Sequence, residues 1–326
     1  MPIPELFHGR LTLPVIGAPM FLASGPELVM AQCKAGVPGV FPSVNARSPG
    51  MLEEWLARIE RELEAFRAAH PGAVVAPFGV NLIVHSTNPR LPEDLALVVK
   101  HRVPFIVTSV GKPAEAVRAV HAYGGIVFHD VTTVKYAHKA IEAGVDGLIL
   151  VCAGAGGHAG TLSPFAFVAE VREFWSGPIA LAGAISSGQA IRAAEILGAD
   201  FAYLGTRFLA TTEANVPASY KRMIVDHAAA DILYTSAFSG VPGNYLRPSI
   251  AASGIDAETL VETPGKPALK MFAPEANQPK AWKDIWSAGH GIGTIHEIRS
   301  AAEVIADLRK ECQEASGGQP SEFIRP

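Results

Sequence analysis

A chain of 326 residues, 49% hydrophobic and 18% charged, carries enough apolar material for one large core and excludes a disordered or low-complexity protein. Its formal charge of -4 offers no broad basic field for a phosphate backbone, so nucleic acid is not an expected partner and any anion must be met locally. Three cysteines, Cys33, Cys152 and Cys312, with no Cys-x-x-Cys pair and no metal-ligand spacing, point to a reducing cytosol rather than a disulfide framework or a metal site. The start, Met1-Pro2-Ile3-Pro4-Glu5, has neither a basic nor an apolar targeting region, and no apolar run reaches the roughly 18 residues of a membrane span. A soluble, cytoplasmic protein with no membrane partner is the expectation.

In chain order, short apolar runs occur at 13–20, 37–43, 78–84, 104–110, 125–131, 147–152, 178–183 and 200–206, each followed by a stretch of helical periodicity. The run Gly147-Leu148-Ile149-Leu150-Val151-Cys152 is apolar on both faces, as a strand buried in a parallel sheet must be. Among the helices, Ser24-Gly25-Pro26-Glu27 reads as a capping box with Ser24 as N-cap. Between 51 and 70, Leu52, Trp55, Leu56, Ile59, Leu63 and Phe66 form one apolar stripe, and another helix starts at Ser163-Pro164. Gly144 and Gly198 supply left-handed caps before the next strand.

Eight βα units in succession predict the α/β class, a (β/α)8 TIM barrel, over residues 1–210. Residues 211–292 break the rhythm with Pro and Gly clusters and scattered aromatics such as Tyr234, Phe238, Tyr245, Trp282 and Trp286. They are predicted to form an inserted capping subdomain after strand eight. The last segment, 293–326, is expected to hold a closing helix at 298–315 and a loose tail from 316.

In such barrels the active site lies at the carboxyl ends of the strands, with phosphate gripped after strands seven and eight. After strand seven, Ala182-Gly183-Ala184 leads through small residues into a helix whose amides and dipole are expected to face an anion. Strand eight is followed by Leu204-Gly205-Thr206, again with exposed backbone and a hydroxyl. Neither a Gly-x-x-x-x-Gly-Lys-Ser/Thr loop nor a strand-following Gly-x-Gly-x-x-Gly is present, which leaves a phosphate on a flavin or a sugar.

Strand six ends in Gly154-Ala155-Gly156-Gly157-His158, a histidine framed by glycines that permit close approach to a flat ring. His158 is the expected acid or base. Cys152 beside it reads as a small buried residue rather than a nucleophile. Strand one ends in Ala18-Pro19-Met20, with Met20 suited to lie against a ring, and strand three in Asn81, whose amide both donates and accepts. Strand five gives His129-Asp130, a base with its orienter or a cap for the next helix, of which capping is favoured.

Together, Gly17-Ala18-Pro19-Met20, Phe78-Gly79-Val80-Asn81, Ala155-Gly156-Gly157-His158-Ala159-Gly160, Ala182-Gly183-Ala184, Gly205-Thr206-Arg207-Phe208-Leu209-Ala210 and Trp286-Ser287-Ala288-Gly289-His290-Gly291 resemble the nitronate monooxygenase (2-nitropropane dioxygenase) family over nearly the whole chain. The related flavin-dependent NAD(P)H:quinone reductases and flavin enoyl-ACP reductases share the pattern. The resemblance implies FMN, with its phosphate at Ala182, Gly183, Ala184, Leu204, Gly205 and Thr206 and its ring near Ala18, Pro19, Met20, Asn81, Gly156 and Gly157, and Asp130 is counted among the cofactor-binding residues. It also implies His158 as the base that takes the α-proton of a nitroalkane or holds the nitronate. The small-molecule substrate is then an alkyl nitronate, oxidised with dioxygen to a carbonyl compound and nitrite by a monomer or homodimer. The chain departs from the pattern at Val151 and Gly154, where many members carry Gln and Glu, at Asp130, where some carry Lys, and at His290, where others carry Gln. An NAD(P)H-dependent flavin reductase of quinones or enoyl thioesters is the alternative. A flavin-free isomerase or aldolase would need a strand-end base or Schiff-base lysine, and no strand end shows an obvious one.

Overall fold

Eight apolar runs, each able to bury both faces, become eight parallel strands in the computed structural model, which describes residues 3–260 and 281–317. Strands β1 (Val15–Gly17), β2 (Val40–Pro42), β3 (Gly79–Ile83), β4 (Phe105–Ser109), β5 (Ile126–Val131) and β6 (Gly147–Val151) alternate with helices α1 (Pro26–Lys34), α2 (Pro49–Ala69), α3 (Leu91–Lys100), α4 (Ala114–His121) and α5 (Val134–Glu142). A two-residue strand, β7 (Gly157–His158), precedes α6 (Pro164–Arg172), β8 (Ile179–Ala182), α7 (Gly188–Leu197) and β9 (Phe201–Leu204). The sheet order β1-β9-β8-β6-β5-β4-β3-β2 returns on itself through a parallel bridge between Gly17 and Gly39, which closes the barrel.

Strand alternation divides the core into two layers. Ile149 and Val151 of β6 point into the barrel, where they join Phe105, Phe128, Phe201 and Tyr203. Leu148 and Leu150 point outward against the helices. At the amino ends of the strands, Phe7 plugs the barrel edge-on to Phe105 and Phe201, with ring centroids 5.4 and 5.3 Å away. That end is filled by aromatics.

The helix stripe read at 51–70 buries Leu52, Leu56, Ile59 and Leu63, and Gly144 and Gly198 adopt φ of +85° and +103°. The capping box at Ser24 is corrected. Gly25 is the N-cap of α1, the Ser24 hydroxyl accepts the Met20 amide at 3.0 Å, and Glu27 pairs with Arg58 at 2.7 Å. Ser24 sits one residue too early and is recruited by the turn after β1. A true capping box occurs where Ser300 and Glu303 open α11 (Ala301–Ala315).

After β9 come the short α8 (Thr206–Leu209), α9 (Ala218–Asp226), a hairpin of β10 (Ile232–Thr235) and β11 (Gly243–Leu246), and α10 (Arg247–Ala252). Strand β11 also pairs antiparallel with β7, so the inserted segment is hydrogen-bonded to the loop that carries His158. Residues 261–280 of the expected cap and 318–326 of the expected tail lie outside the described residues. Helix α11 takes the eighth helical place, packed on α7 and α1.

Candidate active site

The carboxyl ends of the strands open into a cavity of about 1070 Å³. Its walls draw Ala18, Pro19 and Met20 from beyond β1, Asn81 from β3, Asp130 from β5, Gly156, Gly157 and His158 from beyond β6, Ala182, Gly183 and Ala184 around the end of β8, and Gly205 and Thr206 beyond β9. Thirteen of the fourteen residues singled out from sequence therefore meet in one place. The exception is Leu204, whose side chain is 1% exposed and packs outward with Leu28, Ile191 and Phe208. Alternation along β9 turns Tyr203 inward instead, and the Leu204 carbonyl is occupied by the Ala18 amide at 2.8 Å.

His158 lies between the cavity and the inserted segment. Its Nε2 is 3.0 Å from Ser239 Oγ, and Trp282 stands edge-on to the ring at 5.0 Å. Removal from bulk water pushes the imidazole down to about 4, so the ring is neutral at pH 7 and free to take a proton. The neighbouring Cys152 thiol is buried and pushed up to about 12, which keeps it protonated and inert.

Asp130 does not cap a helix. Thr133 caps α5 by accepting the Tyr136 amide, and His129 turns its Nδ1 to Thr108 Oγ1 at 2.8 Å, so these two neither pair as base and orienter nor cap. Instead Asp130 Oδ1 and the Tyr203 hydroxyl are both buried in the cavity lining with no hydrogen-bond partner among the described residues. Burial raises the Asp130 carboxyl to about 7 and the Tyr203 phenol well above its ordinary value, the latter also because Asp130 is close. Asn81 Nδ2 donates to the Val107 carbonyl and Ser109 Oγ, which leaves Oδ1 as the group it presents.

Backbone around Gly183 and Ala184 has φ of +139° and +56° and lines the cavity, with the Ala184 amide donated to the Gly154 carbonyl at 3.3 Å, whereas Ser187 and Gly188 at the start of the helix behind it do not line it. The Gly188 amide at the start of α7 is taken by Glu311 Oε2 at 2.6 Å and that of Ala190 by Ser187, so the expected use of this helix dipole for an anion is corrected. A Cβ on Gly183 would meet the Ala153 carbonyl at 2.8 Å; that glycine serves loop packing as well as the cavity wall. On the far side Thr206 Oγ1 accepts the Gly289 amide at 2.9 Å, and a Cβ on Gly156 would meet that same amide nitrogen at 2.8 Å.

Comparison with known proteins decides which barrel this is. The sequence model described as "Nitronate monooxygenase" matches residues 7–311. The chain belongs to the nitronate monooxygenase family. It is accordingly an oxidoreductase. A nitronate monooxygenase of Paraburkholderia phytofirmans is 26% identical, with 93% of each chain covered. A carboxyl-CoA dehydrogenase of Rhodococcus jostii is 25% identical over 74% of this chain and 64% of its own length. Two solved structures share the fold. Nitroalkane oxidase of Streptomyces ansochromogenes matches with a TM-score of 0.77 at 24% identity, covering 97% of this chain and 100% of that one. FabK of Thermotoga maritima gives 0.75 at 24% identity, with 95% of both chains covered.

Against this family background, Tyr203 and Ser239 were not singled out from the sequence, Trp282 was read only as an aromatic of the segment after strand eight, and Gly289 and Gly291 only as part of the late Trp286–Gly291 motif. Gly289 and Gly291 line the cavity because this motif is wedged against the loops after β6 and β8, with Ser186 Oγ donating to the Gly291 carbonyl at 2.8 Å. Tyr203 carried a readable signal, since inward parity next to Leu204 follows from strand alternation. Ser239 carried none, because its partner lies 81 residues away in sequence.

Proposed function

We propose that the cavity binds FMN and that the enzyme oxidises alkyl nitronates, and nitroalkanes once their α-proton is removed, with dioxygen to carbonyl compounds and nitrite. The observation that carries this reading is His158, held through Nε2 by Ser239 on the wall of a large strand-end cavity, in a chain of the nitronate monooxygenase family. The residues present fit the cofactor. A flat ring edge bearing an N–H and a carbonyl would satisfy the two buried orphans, Asp130 Oδ1 and the Tyr203 hydroxyl. Ala18, Pro19, Met20, Asn81, Gly156 and Gly157 would hold the rest of the ring, and the backbone of Ala182, Gly183, Ala184 and Gly205 the phosphate. Thr206 accepts the Gly289 amide and keeps its own hydroxyl hydrogen for an anion.

Bound FMN would supply the one-electron chemistry that passes electrons from the nitronate to dioxygen. His158 accepts the α-proton of the neutral nitroalkane: the carbon–hydrogen bond breaks, its electron pair moves into the nitro group, and a nitrogen–hydrogen bond forms on the ring. Phe21, Ile83, Leu209 and Trp282 line the same space and exclude water from the ion so formed.

His158→Asn tests the reading. The variant is expected to keep its flavin yet lose on the order of 100-fold or more of its turnover with a neutral nitroalkane, while the preformed nitronate suffers far less. Equal loss on both substrates contradicts a role in proton abstraction.

A further inference from the structure

We infer that Ser239 and Tyr245 are positioning residues that hold His158 as its Nε2–H tautomer and so reserve Nδ1 as the proton acceptor. The inference rests on His158 being the base. It follows from counting hydrogens on one buried hydroxyl. Ser239 is 1% exposed, and its Oγ has four neighbours: His158 Nε2 at 3.0 Å, the Val241 carbonyl at 2.9 Å, the Tyr245 hydroxyl at 3.1 Å and, more distantly, the Val241 amide at 3.4 Å. A carbonyl only accepts, so the single Ser239 hydrogen goes to Val241. Tyr245 is fully buried, and Ser239 is its hydroxyl's partner. That phenol stays protonated and donates. With its hydrogen spent, Ser239 Oγ receives from His158 as well, which requires the hydrogen on Nε2. No partner for Nδ1 stands among the described residues, and His158 lines the cavity.

The surroundings keep this arrangement from relaxing. Gly243 stands opposite His158 in the β7–β11 ladder, so closely that a Cβ there would meet the Gly157 carbonyl oxygen at 2.7 Å. Asn244 Nδ2 donates to the Ala155 carbonyl at 2.7 Å, and the Ala159 amide to Pro242 at 3.2 Å. The backbone on both sides of the histidine is thereby tied to the strand that delivers Tyr245. Trp282, packed edge-on against the ring and 6.1 Å from Tyr245, obstructs the flip that would exchange the two nitrogens.

The consequence for catalysis is directional. As the substrate carbon–hydrogen bond breaks and its electron pair enters the nitro group, the proton lands on Nδ1. The Nε2–H bond to Ser239 becomes charge-assisted and strengthens, which offsets part of the cost of forming an imidazolium out of water. A hydroxyl does here what a carboxylate does for other catalytic histidines, without adding a fixed negative charge beside the ring.

The test is nitrogen NMR of ¹⁵N-histidine-labelled, FMN-loaded enzyme, with His158 assigned by its absence from His158→Asn. The parent is expected to show a protonated Nε2 and a bare Nδ1. Ser239→Ala is expected to mix the tautomers and lower nitroalkane turnover on the order of 10- to 100-fold, the effect of one hydrogen bond to a charged group. Preformed nitronate should be spared, and Ser239→Thr, which restores the hydroxyl, should recover the parent spectrum. A bare Nε2 in the parent, a measurement that needs no variant to fold, overturns the inference, as does an unaltered tautomer in Ser239→Ala. Neither result touches the assignment of His158 as base, which stands or falls on the two-substrate comparison with His158→Asn.

Discussion

His158 and Asp130 share one cavity and titrate away from their ordinary values in opposite senses. Burial lowers the histidine to about 4 and raises the carboxyl to about 7. For His158 the folded value lies below the unfolded one, so its contribution to stability is present above about 6.5 and is lost as pH falls toward 4. For Asp130 the folded value lies above the unfolded 3.8, so its contribution is present in acid and is lost as pH rises through 7. Asp130→Asn removes the second loss alone. In flavin-free protein the variant is expected to melt about 2–4 °C or more above the parent at pH 8, with no advantage at pH 4, as scanning calorimetry would record. At this scale sequence and structure agree best where glycine announces the site. The frame around His158 was readable, whereas Asp130 was expected to cap a helix whose cap is instead Thr133, three residues on, a choice made by the backbone path.

The strands were legible because burial on both faces leaves an unbroken apolar run, and α2 because its stripe repeats over 21 residues. The start of α1 was misread by one residue, since Ser24 serves the turn after β1 and a sequence pattern does not reveal that rival partner. Strand β7 was invisible: two residues, Gly157 and His158, become a strand only because Asn244 and Gly243 of β11, far downstream in sequence, pair with them. Glycines that begin strands make space for inward aromatics. A Cβ on Gly147 would lie 2.4 Å from the Phe128 ring, and one on Gly79 would lie 2.8 Å from Phe105. Gly147→Ala is therefore expected to cost about 1–3 kcal/mol in denaturant unfolding by overpacking. Because that end of β6 faces the aromatic plug rather than the cavity, the folded variant should keep its flavin and its turnover.

Over the whole molecule, a barrel plugged by Phe7 at one end opens at the other into a cavity on the strand ends, to whose lining the segment after β9 adds Val241, Pro242 and Trp282. The architecture was readable from eight repeats, but the pairing of β11 with the strand that carries His158 was not, because it joins segments distant in sequence. Fold and family leave two chemistries on the same scaffold: electrons drawn from a nitronate or from a reduced nicotinamide. Anaerobic mixing of FMN-loaded enzyme with an alkyl nitronate, and separately with NADH or NADPH, while the flavin absorbance is followed, tests the central claim most directly. Loss of the oxidised flavin bands with the nitronate alone is the expected result. Fast reduction by the nicotinamide, with no response to the nitronate, would contradict it, and so would a protein that takes up no flavin at all.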